Sequence, residues 1–118
     1  MKGLYSLDHK FRTIGVENCY ISEISLAELK YGVENSQHRA KNQRALDNFL
    51  TGIQVLPIYE SIAVYAKEKA RLKKAGKLVD DFDLLIGATA VSYHLTMVTN
   101  NVSHFERIKG LRIEDWTR

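Results

Sequence analysis

Residues Val79–Val91 read VDDFDLLIGATAV, with Asp80, Asp81 and Asp83 set directly against an almost wholly apolar run. Acidic clusters mark solvated surface and apolar runs mark core. A segment that joins the two predicts a helix whose first turn lies at a polar rim and whose body is buried. Leu84, Leu85, Ile86, Ala88, Ala90 and Val91 go all the way round a helical axis. This predicts a helix over Phe82–Tyr93, enclosed between a sheet and its neighbours. Gly87, Ala88 and Ala90 let other backbones come close. Asp80 stands where an N-cap belongs and Asp83 falls in the first turn, where the helix dipole favours negative charge. Capping and the dipole are therefore one explanation of the acids, with Asp81 solvated or at the rim of a site. A carboxylate delivered to a sheet edge for chemistry is the other.

Working outward, the elements alternate in type. Leu4, Leu7, Phe11 and Ile14 are spaced by three and four, predicting an amphipathic helix that ends near Gly15. Asn18–Ser22 (NCYIS) is a short strand. Ser25–Asn35 is helical with Leu26, Leu29 and Val33 on one face. Arg39–Thr51 is a helix with Ala45, Leu46, Phe49 and Leu50 inward. Ile53–Ile58 (IQVLPI) is an apolar strand. Glu60–Ala75 is a long helix with Ile62, Ala63, Ala66 and Ala70 inward, stopped at Gly76. Leu95–Thr99 and Leu111–Ile113 are strands. Strand alternating with helix predicts an α/β sandwich with a mainly parallel sheet flanked by helices. The 118 residues are expected to form one domain with one core, and show no repeat or linker.

Composition limits the function classes. With 45% hydrophobic and 26% charged residues the chain is an ordinary globular one. No apolar stretch approaches the roughly 20 residues of a membrane span, and the N-terminus has no signal core, so a cytoplasmic location without membrane contact is expected. The lone Cys19 fits a reducing compartment and reads as a small core residue. The net charge of +3 names no partner. The run Lys67–Lys77 holds six basic residues and one acid, and Arg39, Lys41 and Arg44 add a second cluster. Both read as solvated helix faces or as a surface for phosphate.

Sites in parallel sheets form beyond the carboxyl ends of strands, where the next helices begin. Three such exits carry polar residues: Glu23 and Glu28; Asp80, Asp81 and Asp83; and Asn100, Asn101, His104 and Glu106. Ser25-Leu26-Ala27-Glu28 matches a capping box, the structural account of Glu28. If the helices flank neighbouring strands, however, Glu28 and Asp83 converge, and converging carboxylates need a cation or proton between them. Oxygen ligands with positions open to water suit Mg²⁺ or Mn²⁺. The four histidines are scattered, with no zinc spacing, and no phosphate-binding glycine loop or nucleophile elbow occurs.

ISEISLAELKYGVENS, followed by DDFDLLIGATAVSYHLTMVTNNVSHFERIKGLRIEDW, resembles the PIN-domain family, and within it the VapC-type toxins of toxin–antitoxin pairs. The resemblance runs from Ile21 to Trp116. It implies a PIN-like three-layer sandwich and a ribonuclease that cuts RNA phosphodiesters with Mg²⁺ or Mn²⁺. It also implies a homodimer and a cognate antitoxin. The family's helix glutamate falls on Glu28 and its buried-helix aspartate on Asp83, the two implied metal ligands. The polar residue of its V-T-x-N segment falls on Asn101, and a later, frequently acidic position falls on His104. These four are the candidate catalytic residues. Members usually open on a strand bearing an aspartate, which has no counterpart before Leu4–Ile14. The expectation is a fold short of its first strand, through a mis-set start codon or a truncation, with impaired nuclease activity. The alternatives are a non-catalytic PIN-fold module that binds an antitoxin or itself, and an unrelated small α/β protein.

Overall fold

The computed structural model describes residues 19–99 and 101–115. The helix expected over Leu4–Ile14 and the expectation of a missing first strand lie outside the described residues, as do Asn100 and Trp116. The chain divides after Leu56 into two compact units.

In the first unit, β1 (Tyr20–Ser22) leads into α1 (Glu23–Glu34), α2 (Arg39–Leu50) and β2 (Gln54–Leu56). β1 and β2 pair in parallel, with Ile21 opposite Val55. Parallel strands need a long crossover, and the α1–α2 hairpin supplies it. Pro57, which has no N–H to donate, follows directly on β2. Val33, Leu46, Ile53 and Cys19 are buried, whereas Ala45, expected inward, is exposed.

Helix α1 begins two residues earlier than its spacing suggests. Ser22 is the N-cap, and its hydroxyl accepts from the Ser25 N–H at 3.0 Å. Ser25 is thus the third helical residue, and the capping box expected from Ser25 and Glu28 does not form. The strand runs straight into the helix, so the earlier of two eligible serines takes the cap.

The second unit opens with a 3₁₀ turn (Tyr59–Ser61) and continues through α3 (Ile62–Lys74), α4 (Asp81–Ser92), β3 (Thr96–Val98), α5 (Val102–Phe105) and β4 (Arg112–Glu114). β3 and β4 pair in parallel, with Met97 opposite Ile113. Leu72, Leu84, Met97, Phe105 and Ile108 form its core, with Val79, Ile86, Val91, Leu111 and Ile113 packed round it. α4 is enclosed as expected, with no exposed residue from Asp83 to Tyr93. Phe82, in its first turn, is 54% exposed.

Both long helices of this unit end the same way. Gly76 lies at φ +69°, with its N–H on Lys73 O and the Lys77 N–H on Leu72 O. These are the paired bonds of a left-handed helix stop, as expected at Gly76. After α4, His94 takes the same position at φ +57°, with the His94 N–H on Val91 O and the Leu95 N–H on Ala90 O.

The inward face of α3 differs from expectation. Ile62 is 46% exposed, and Ala63, Ala66 and Ala70 face solvent as well. Leu72 and Glu68 are the buried residues of the helix, and Tyr65 packs against the core. Two stripes fit the helical period equally well. The inward one contains an acid, and it can be buried because that acid is paired.

Fold class is as expected: a helix-rich α/β chain with parallel strands. No helix among the described residues is long and apolar enough to cross a membrane.

Candidate active site

The three aspartates before α4 have three different positions. Asp80 is the N-cap: its Oδ2 accepts from the N–H groups of Phe82 (3.1 Å) and Asp83 (3.3 Å). It satisfies donors that a helix start leaves open. Asp81, expected solvated or at a site rim, is exposed but partnered. Its Oδ1 accepts from the Tyr65 hydroxyl at 2.9 Å and lies 2.9 Å from Lys69 Nζ. The Lys69 ammonium, and after it the Tyr65 hydroxyl, hold the Asp81 carboxyl below the usual aspartate range. The pairing ties the start of α4 to the middle of α3.

Asp83 is the third helical residue and faces a cleft. Its Oδ2 lies 3.3 Å from His104 Nδ1, with the aspartate side chain 22% exposed and the histidine 57%. The cleft encloses about 400 Å³ and is lined by Leu78, Val79, Asp80, Asp83, Ser103, His104 and Arg107. One wall is thus the entry to α4, and another is α5 and the turn after it.

That second wall is anchored from below. Phe105 and Ile108 are core residues. Gly87 of α4 leaves room for the second of them: a Cβ there would stand 2.5 Å from Ile108 Cδ1. Glu68, 8% exposed, completes the anchorage. Its carboxylate accepts from Arg71 Nε (2.7 Å), Arg71 Nη2 (2.6 Å) and the Lys109 backbone N–H (2.7 Å). Arg71 Nη2 also donates to the Arg107 carbonyl at 2.8 Å. The Arg71 guanidinium is the main reason that the Glu68 carboxyl is held below its ordinary range, against the opposing effect of burial. In the sequence this clamp is hidden, because Glu68 stands as the single acid of a basic run. The i, i+3 spacing of Glu68 and Arg71 was the available sign.

Of the four residues expected at the site, the second unit brings Asp83 and His104 together. Asn101 is exposed at the start of α5, its N–H on Thr99 Oγ1 at 3.0 Å, and it does not line the cleft. Glu28 belongs to the first unit, exposed in the second turn of α1. Because Ser22 is the cap, Glu28 has no capping role to explain it. The Asp83 carboxylate is an oxygen donor of the kind Mg²⁺ or Mn²⁺ takes, whereas the imidazole of His104 is not a preferred ligand of Mg²⁺. Among the described residues no three His, Cys, Asp or Glu side chains gather as a metal-holding group.

The basic clusters are partly committed. Arg39 forms a two-pronged pair with Glu34 at 2.8 and 2.9 Å, Lys69 serves Asp81 and Arg71 serves Glu68. Lys41, Arg44, Lys67, Lys73, Lys74 and Lys77 make no ion pair among the described residues.

Comparison with known proteins agrees with this geometry. A family described as PIN domain matches residues 6–111. The chain is 37% identical over 99 residues to Ribonuclease VapC2 of Rickettsia felis, covering 83% of this chain and 74% of that protein. It is 40% identical over 98 residues to the tRNA(fMet)-specific endonuclease VapC of Shigella flexneri, covering 82% and 74%. Among solved structures, DNA-bound VapBC from Salmonella typhimurium superposes with a TM-score of 0.87 at 34% identity, over 94% of this chain and 84% of that one. The cleft at the head of α4, the parallel strand pairs and these likenesses agree: this chain belongs to the PIN-domain family, in its VapC group.

Proposed function

We propose that the chain is an endoribonuclease, the toxin of a toxin–antitoxin pair, and that Asp83 is a ligand of a Mg²⁺ or Mn²⁺ ion at its active site. The observation that carries the reading is the division of labour among the three aspartates. Asp80 caps and Asp81 is ion-paired, which leaves Asp83 facing the cleft beside His104. The relatives named as ribonucleases support the reaction class. The match over residues 6–111 supports treating residues 1–118 as a single PIN-like domain.

A bound divalent cation would supply Lewis-acid activation and neutralise charge at phosphorus. The chain's own residues do the rest. Helix α4 places Asp83 in its first turn, where the dipole favours the ionised carboxylate. His104 stands beside that carboxylate, positioned to complete the metal's shell or to meet phosphate, and Asn101 offers an amide at the start of α5. The uncommitted lysines of the Lys67–Lys77 run hold the RNA backbone, so binding weakens with salt.

The partner in this reading is an antitoxin protein, supported by the Salmonella VapBC structure. A homodimer is supported by the apolar stripe on α3 and the turn before it, where Tyr59, Ile62, Ala63, Ala66 and Ala70 face solvent. The site of action is the cytoplasm, without membrane attachment.

The test is cleavage of single-stranded RNA with Mn²⁺ by the wild type and by Asp83→Asn. The expected outcome is cleavage that is lost in the variant. Equal cleavage by both would remove Asp83 from the mechanism.

A further inference from the structure

The cleft beside Asp83 holds a cation that nothing in the proposed metal site uses. Arg107 lines it together with Asp80 and Asp83, yet its guanidinium forms no ion pair among the described residues. Ser103 precedes it by four positions and lines the same cleft, so the two share one side of the α5 wall. The backbone that carries Arg107 is fixed at that residue and just beyond it. Its carbonyl accepts from Arg71 Nη2, and the Lys109 N–H two residues on donates to Glu68. An exposed arginine on such a firmly held turn is preorganised for a ligand.

We infer that Arg107, with the Ser103 hydroxyl, seats an RNA phosphate in the cleft next to Asp83 and so sets where the chain lies across the active site. This rests on the ribonuclease reading above. A carboxylate wall repels a polyanion, and a planar guanidinium with five donors matches two phosphate oxygens at once. The hydroxyl adds a neutral donor. Arg107 forms no ion pair with Asp83, whose Oδ2 lies beside His104 Nδ1. Arg107 is thus a positioning residue for substrate, distinct from the lysines of α3 that follow the backbone outside the cleft.

The experiment is fluorescence anisotropy with a labelled short single-stranded RNA of mixed sequence. EDTA is present so that nothing is cut, and NaCl is titrated. Arg107→Gln is expected to weaken binding by about tenfold or more, the loss of one charge-assisted contact. It should also lower the salt slope by about 0.7, the share of one phosphate on a single strand. Arg107→Lys should restore the slope and only part of the affinity, and Ser103→Ala should weaken binding without changing the slope. Thermal melts of Arg107→Gln should match wild type, since its backbone contacts are kept. Wild-type affinity and slope in Arg107→Gln would overturn the inference. So would an affinity loss with the slope unchanged, a wild type that binds no RNA, or a loss confined to antitoxin binding. Cleavage with Mn²⁺ separates this from the ribonuclease reading. RNA binding that depends on Arg107 in a protein that never cuts would sink that reading alone. Cleavage with an unchanged KM in Arg107→Gln would sink this one alone.

Discussion

Replacing Glu68 with Gln tests whether the clamp beneath the cleft is as important as its geometry suggests. The native carboxylate accepts three hydrogen bonds, two from Arg71 and one from the Lys109 N–H. Glutamine keeps the shape but offers one acceptor oxygen and turns an NH₂ toward donors. Each charge-assisted bond contributes about 1.5–3 kcal/mol, and stranding one partner of a well-buried pair costs about 3–5 kcal/mol. The Arg71 side chain is 44% exposed, so water recovers part of the loss. The expected cost is therefore about 2–4 kcal/mol, a fall in Tm of roughly 8–20 °C for a domain of this size.

The pH dependence fixes the sign. The folded-state pKa of Glu68 is lowered, chiefly by Arg71. Its contribution is thus complete above the ordinary glutamate value of about 4.3 and is lost as pH falls through the lowered folded value. Calorimetric melts of wild type and Glu68→Gln should differ by a constant amount at neutral pH and converge in acid. A gap of under about 2 °C at neutral pH, or one that widens in acid, would refute the reasoning.

Further outcomes follow from backbone and packing. Gly87→Ala places a methyl 2.5 Å from Ile108 Cδ1, so it should destabilise by about 1–3 kcal/mol in urea titrations. Ile108→Val in the same chain should recover part of the loss. His94 holds φ +57° at the end of α4, a conformation that costs a side-chain-bearing residue about 1–2 kcal/mol. His94→Gly should therefore stabilise by about 0.5–1 kcal/mol once the extra chain entropy of glycine is subtracted, read as a higher Tm.

Much of the site was legible because it rests on local rules. Asp80 as cap, Asp83 in the first turn and an all-round apolar helix behind them follow from spacing alone. So does the helix stop at Gly76. What was not legible depended on contacts distant in sequence. Glu68 reads as surface charge until Arg71 and the Lys109 N–H are seen to close on it. Because the buried stripe of α3 contains that acid, the small apolar residues opposite looked like the inward face. Helix α1 starts two residues before its spacing suggests because both Ser22 and Ser25 are good caps, and only the end of β1 chooses between them. That choice matters for function, since it removes the capping explanation of Glu28.

The proposed function makes Asp83 a ligand of a divalent cation. Calorimetric titration with Mn²⁺ of wild type and Asp83→Asn reads this out. Wild type should bind the ion at one site, and Asp83→Asn should weaken that binding strongly. Wild-type affinity in Asp83→Asn would remove Asp83 from the metal site.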